Sequence, residues 1–192
     1  MTERFVEYSF YGYFVAFLLV EFVFSRTRLG SEEKEKSKGD SRSLLFFFIA
    51  PFAGMFVWMT LLNMHKIGAN PTWTLWILGV ALGLLGFWIR ITAKRTLGRF
   101  FTVQLELQKE HQVVDTGLYA AIRHPLYLGF ILEWVAPPLI LGSPVGFLFV
   151  TLPILVGVLA RIPREEELLV QGLGEKYRAY MGRTKRLIPG VW

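Results

Sequence analysis

The chain has no cysteine and only three histidines among its 192 residues. Without thiols there is no disulfide, no thiolate metal site and no cysteine nucleophile. His65, His111 and His124 lack metal-ligand spacing, and the topology reading places His65 across the membrane from the other two, so no metal is expected. Three motifs are missing as well. There is no G-x-G-x-x-G, which removes support for a Rossmann-type dinucleotide site, no G-x-x-x-x-G-K-[ST] phosphate loop and no G-x-S-x-G hydrolase elbow.

What remains is apolar and aromatic. Hydrophobic residues make up 53%, with 17 Phe, 6 Trp and 7 Tyr, too greasy for an ordinary soluble single domain. Five apolar runs stand out: Tyr8–Phe24, broken only by Glu21, then Leu44–Leu62, Trp73–Ile89, Leu126–Leu141 and Val145–Ala160. The first is too long for a signal-peptide core and no small-residue cleavage site follows, so it reads as a membrane helix. Leu44–Leu62 is long enough to span, and its Pro51 and Gly54 are tolerated where neighbouring helices satisfy the backbone. Gly79, Gly83 and Gly86 lie close to one helical face, the first two spaced as small-xxx-small, which predicts close approach by another helix. The last two runs would be roughly 24 Å long as helices, short for a full span.

The net charge of +6 sits in connectors between apolar runs, a pattern that signals lipid headgroups and topology rather than nucleic acid. Connectors 26–42 and 90–123 and the tail from Arg161 hold 6, 6 and 7 Lys and Arg residues. The remaining two, Arg4 and Lys66, fall on the other side. The positive-inside rule makes the first side cytoplasmic, with five crossings and the N-terminus outside. Connector 26–42 is a charged, solvated linker with no chemistry of its own. The expectation is a single-domain, all-α integral membrane protein of about five transmembrane helices with a C-terminal amphipathic cytoplasmic helix. That tail helix would start with Glu165–Glu167 in its first turn and carry the stripe Leu169, Leu173, Tyr177 and Tyr180. It would lie in the headgroup layer or cap the bundle.

Two polar clusters flank apolar runs on the cytoplasmic side. Gln104–Gly129 ends in Arg123-His124-Pro125, set directly against an apolar run, and Arg161–Glu167 follows the last run. Arg and His at a bilayer entrance are costly unless partnered, so the two clusters are expected to meet as one site.

These segments carry a resemblance. His111-Gln112-Val113-Val114, Gly117-Leu118-Tyr119 and Arg123-His124-Pro125-Leu126-Tyr127-Leu128-Gly129 resemble the isoprenylcysteine carboxyl methyltransferase family, with its R-H-P-x-Y-x-G element matched in full. Glu165-Glu166-x-x-Leu169, Gly174, Tyr177, Tyr180 and Arg186-x-x-Pro189 resemble its closing segment. The likeness covers Leu97 to Pro189 and is strongest to short prokaryotic, archaeal-type members. It implies S-adenosylmethionine as cofactor and methyl transfer at the cytoplasmic face to a lipophilic, prenylated or lipid acceptor. By position the cofactor would be held by Gln104, His111, Gln112, Val113, Val114, Tyr119, His124, Pro125, Leu126, Tyr127 and Glu165. Arg161 would meet the acceptor carboxylate, and Arg161 and Glu165 would carry the catalysis. Glu133, inside an apolar run, is a substrate-side candidate, paired with an Arg or lining the acceptor tunnel.

Other readings stand beside these. Arg123 and Arg161 can also be read as topology anchors, with function the favoured reading for Arg161, Pro125 as a first-turn helix proline, and Tyr119 and Tyr127 as interfacial aromatics. Glu166 and Glu167 read as solvated helix-start charges, Glu167 more so, and Glu21 as a residue snorkelling into water. For the acceptor, phospholipid amines and small thiols are alternatives within the same superfamily. A nicotinamide-dependent sterol-reductase-like protein would want a basic phosphate-binding cluster, and a non-catalytic membrane scaffold would bind no cofactor.

Overall fold

The computed structural model describes residues 2–26, 41–63, 69–101 and 111–192. Gln104, His65, Lys66 and most of the charged linker therefore lie outside the described residues. The described chain forms α1 (Glu3–Arg26), α2 (Ser41–Asn63), α3 (Trp73–Leu97), α4 (Pro125–Ile140), α5 (Pro144–Gly146), α6 (Leu152–Leu173) and α7 (Glu175–Arg183). The π-helical stretch Phe147–Thr151 joins α5 to α6, making one rod over Pro144–Leu173.

Among the described residues three helices are long and apolar enough to cross a membrane: Arg4–Phe22, Trp73–Phe100 and Pro144–Leu173. Pro51–Asn63 and Pro125–Ile140 are shorter apolar helices. Large apolar side chains stand exposed along all three long helices, among them Val15 and Leu19, Leu84 and Trp88, and Leu152 and Val156. Continuous outward apolar faces of this kind belong in lipid, and the protein is an integral membrane protein.

Two helix boundaries differ from the sequence reading. Trp73–Ile89 was expected to end before Arg90, yet α3 continues to Leu97 and stops where Gly98 turns to φ 54°. Arg90 is tolerated inside because two carboxylates meet it: Glu133 of α4 and Glu21 of α1. Glu21 thus turns inward to Arg90 instead of snorkelling into water. Second, no new helix begins after Ala160. The rod runs 30 residues, about 45 Å, straight through Pro163. Pro163 and Leu159, the residue whose carbonyl loses a partner, both lie on the exposed side, so the interruption does not reach the core. Glu165–Glu167 therefore sit near the end of a long helix rather than in a first turn. The expected tail stripe is split at Gly174 (φ 59°): Leu169 and Leu173 stay on α6, while Tyr177 and Tyr180 turn inward from α7.

The α3–α4 pair is the most extensive helix contact, and glycine permits it. A methyl group on Gly86 would lie 2.7 Å from the carbonyl oxygen of Gly129, and one on Gly79 would lie 3.0 Å from that of Ala136. Gly83 serves another neighbour, with the Tyr13 ring of α1 resting where its side chain would be. α4 contains Pro137 and Pro138, which cannot donate to the carbonyls of Glu133 and Trp134. Hydroxyls from other helices replace both bonds: Tyr13 Oη donates to the Glu133 carbonyl (2.6 Å) and Thr151 Oγ1 to that of Trp134 (2.9 Å). In a membrane such replacement is what makes a double proline tolerable. Trp58, fully buried, donates its Nε1 to Ser143 Oγ at 3.0 Å and fixes α2 against the turn after α4.

Candidate functional site

The two polar clusters do meet. Pro125 opens α4 with its ring in the first turn, where a missing N–H costs nothing, so His124 is held at the helix mouth. The tail reaches the same place as a short strap. The backbone N–H of Arg123 donates to the Lys185 carbonyl at 2.7 Å and that of His124 to the Arg186 carbonyl at 3.0 Å.

Glu166 is the hub of this junction and is only 3% exposed. Its Oε1 accepts from Arg123 Nε at 2.7 Å and lies 3.3 Å from His124 Nε2. Its Oε2 accepts from Arg186 Nε at 3.0 Å and Nη2 at 2.8 Å. Arg123 also donates to the carbonyls of Met181 (3.1 Å) and Thr184. Arg123 is therefore a staple between α4's mouth, α6 and the tail, and Glu166 is no solvated helix-start charge. Sequence reasoning missed that role, although a signal existed. Ile154, Val158 and Ile162 recur every fourth residue on the buried face, and the next step is Glu166. Assuming a helix break after Ala160 hid the continuation.

Glu165 points to a different neighbourhood. Its Oε2 accepts the hydroxyl of Tyr127, whose oxygen in turn accepts from Arg161 Nε at 2.6 Å. Arg161 is buried at 7% exposure, one turn before Glu165 on the same helix. The His124 ring stacks on Tyr127 with centroids 5.6 Å apart, and its Nδ1 lies 3.8 Å from Glu165 Oε1. Arg161, Tyr127, Glu165 and His124 thus form one connected group.

The loop 111–123 leads into that group, and the charge of Glu165 reaches two of its residues, His111 and Tyr119. Tyr119, in the 3₁₀ turn Gly117–Ala120, is buried, and its backbone carbonyl accepts from Tyr180 Oη at 2.7 Å. Arg183 of α7 pairs with Asp115 of the same loop. Two side-chain atoms here are buried without a hydrogen-bond partner, Tyr119 Oη and His111 Nδ1. Burial lowers the His111 imidazole below its ordinary value, an effect that the Glu165 charge partly offsets. Burial, then the Glu165 charge, raises the Tyr119 phenol well above its own. Both residues therefore feel the same carboxylate.

Of the other expected ligands, Pro125 is buried, Val113, Val114 and Leu126 are half-buried and Gln112 is exposed. Glu133 is brought to Arg90 and Glu21, in a separate cluster within the helices.

Comparison with known proteins places the chain beside one family of membrane methyltransferases. The Isoprenylcysteine carboxyl methyltransferase (ICMT) family matches residues 77–171. The chain is 32% identical over 126 residues to Protein-S-isoprenylcysteine O-methyltransferase B of Arabidopsis thaliana, covering 65% of this chain and 64% of that one. It is 39% identical over 75 residues to Methanethiol S-methyltransferase of Pseudomonas deceptionensis, covering 38% of this chain and 27% of that one. The solved structure of the eukaryotic intramembrane Ras methyltransferase ICMT superposes with a TM-score of 0.56 at 25% identity, over 83% of this chain and 55% of that one. The chain thus spans somewhat under two thirds of the curated relative from Arabidopsis. Residues 77–171, which carry α4, most of α3 and α6 and both polar clusters, match the isoprenylcysteine carboxyl methyltransferase family.

Proposed function

We propose that this protein is a membrane methyltransferase that uses S-adenosylmethionine to methylate the α-carboxylate of an isoprenylcysteine-type lipophilic acceptor at the cytoplasmic face. The observation that carries the reading is the pair of unpartnered buried atoms, Tyr119 Oη and His111 Nδ1, grouped around the charge of Glu165. Buried polar atoms are ordinarily hydrogen-bonded, so two orphans beside one carboxylate mark a place for a polar ligand. A zwitterionic sulfonium cofactor suits these residues. Glu165 would pair with its ammonium, while His111, Tyr119, His124, Tyr127 and Gln104 would hold the rest, with Gln112, Val113, Val114, Pro125 and Leu126 shaping the walls.

When bound, the cofactor supplies an electrophilic methyl group. The chain's own contribution is orientation. Arg161 would receive the acceptor carboxylate, which is already ionised at neutral pH and needs no general base. The hydrogen bonds from Arg161 to Tyr127 and from Tyr127 to Glu165 tie the acceptor end of the site to the cofactor end, which favours in-line alignment. The preponderance of Lys and Arg in connectors on one side supports the cytoplasmic placement.

A second acceptor class has a specific observation behind it, the 39% identity to a methanethiol S-methyltransferase over 75 residues. Calorimetric titration of the detergent-purified protein with S-adenosylmethionine and S-adenosylhomocysteine tests the cofactor. Binding to wild type and its loss in Glu165→Ala and His124→Ala are expected. Labelled methyl transfer to N-acetyl-farnesylcysteine, phosphatidylethanolamine and a small thiol then separates the acceptors. A folded wild type that binds neither nucleoside sinks the reading.

A further inference from the structure

Away from the cofactor group, α1, α3 and α4 enclose a second set of ionisable residues. Arg90 Nη1 donates to Glu21 Oε1 and also to Glu133 Oε2, so both carboxylates converge on one nitrogen. That places their oxygens within roughly 6 Å of each other, two hydrogen-bond lengths. Glu133 is 1% exposed and Arg90 7%. The other oxygen of Glu133, Oε1, is buried with no partner at all.

Among the described residues no second cation is ion-paired with either acid. On α1 the nearby polar group is Tyr13, whose hydroxyl is engaged with the Glu133 backbone carbonyl. α3 contributes Arg90, whose guanidinium also lies 5.2 Å over the Phe130 ring of α4. Residues 51–63 of α2 and 144–160 of the α5–α6 rod contain no ionisable side chain. Among the described residues each acid is ion-paired to Arg90 alone. Two carboxylates and one guanidinium would leave a net negative charge inside the bilayer, with the buried lone pairs of Oε1 unsatisfied. Neighbouring carboxylates in a poorly solvated place relieve such repulsion by sharing one proton.

We propose that Glu21 and Glu133 form a proton-binding site, holding one proton between them with Arg90 as the fixed cation. The proton rests on Glu133, the deeper acid with the unpartnered oxygen, and Glu21, whose side chain is 24% exposed, keeps the negative charge. The proton site does not rest on the methyl-transfer reading: its residues stand apart from the group of Arg161, Tyr127, Glu165 and His124, although Glu133 is also the substrate-side candidate of the sequence. It makes the docking of α1 against α3 and α4 depend on that proton, because loss of it sets two anions against each other across the α1–α4 seam.

Infrared difference spectroscopy of the full-length protein in lipid, titrated from acid to alkaline pH, reads the proton directly. The protonated carboxyl stretch should be present in wild type and bleach as pH rises. It should vanish in Glu21→Gln as well as in Glu133→Gln, because either variant leaves one acid for one guanidinium. A band that persists in Glu21→Gln means Glu133 is protonated by burial alone, and no band in wild type means both acids are ionised. Either result overturns the proposal. Thermal melts give a second readout: each single variant should lose the alkaline fall in melting temperature, and only the double variant should be less stable than wild type at neutral pH. If a variant does not fold, wild type made with isotope-labelled glutamate still decides, since an unshifted acid band or none excludes a protonated glutamate.

Discussion

Glu166 of α6 holds Arg123 at 2.7 Å and Arg186 at 2.8 Å, so a single carboxylate fastens the mouth of α4 to the C-terminal strap. Both arginines belong to sequence elements that flank the group of Arg161, Tyr127, Glu165 and His124, yet neither is hydrogen-bonded to Tyr127 or Glu165 in the bonds that build it. Removing this carboxylate leaves Arg123, itself largely buried, without its counter-ion. Breaking a buried ion pair from one side costs about 3–5 kcal/mol, discounted here because Arg186 is partly in water. Glu166→Ala should therefore melt well below wild type. Glu166→Gln, which keeps the shape and part of the hydrogen bonding, should fall between them. Differential scanning of the purified variants checks the order, and an unchanged melting temperature in Glu166→Ala would remove the clamp from the account.

A second expectation concerns the double proline. The Thr151 hydroxyl serves the Trp134 carbonyl because Pro138 cannot. Thr151→Val should destabilise by roughly 1–3 kcal/mol, the cost of a buried carbonyl left unpaired. Restoring the helix donor with Pro138→Ala should make the hydroxyl dispensable, so the loss in the double variant should be smaller than in Thr151→Val alone. A double-mutant cycle on unfolding measures this coupling, and strict additivity would show that the hydroxyl does not act through that carbonyl.

The contrast between these residues shows what a sequence can display. The helices were legible because apolar runs of bilayer length are a strong signal, and the meeting of the two polar clusters followed from their shared side and their cost if unpartnered. Glu165 and Arg161 were legible through the matched motif and their one-turn spacing. The inward turn of Glu21 was not, because a lone acid near a helix end looks the same whether it snorkels or pairs. Only the position of Arg90 across the bundle decides, and Arg90 had been read as the start of a connector. Glu166 was hidden by a boundary error of the same kind: a helix that runs through Pro163 changes which face every later residue occupies.

Tyr180 supports the loop from behind. Its hydroxyl donates 2.7 Å to the carbonyl of Tyr119, whose own side chain carries one of the orphaned atoms. Tyr180→Phe removes one neutral hydrogen bond, about 1 kcal/mol, without emptying the core position. If Tyr119 lines the cofactor site, the KM for S-adenosylmethionine should rise about fivefold while kcat and the KM for the acceptor hold. A general loss of kcat with unchanged KM values would mean that Tyr180 serves stability and not the loop.

The last expectation is a pH dependence with a defined sign. Burial lowers the His111 imidazole below its ordinary value of 6.5, and the charge of Glu165 opposes this without cancelling it. The folded protein therefore binds this proton less readily than the unfolded chain. Its contribution to stability is complete above the ordinary histidine value and is lost as pH falls through that value towards the lowered one. The unpartnered Nδ1 makes the neutral ring useful, since an unprotonated nitrogen can accept from a ligand and a protonated one cannot. Affinity for S-adenosylhomocysteine should accordingly decline as the folded ring takes up its proton, at a pH below the ordinary histidine value and after the loss of stability has begun. His111→Gln should bind more weakly at neutral pH but lose most of that decline. Calorimetric titrations of both proteins across the acid range make the comparison. A decline of equal steepness in His111→Gln would show that His111 is not its source.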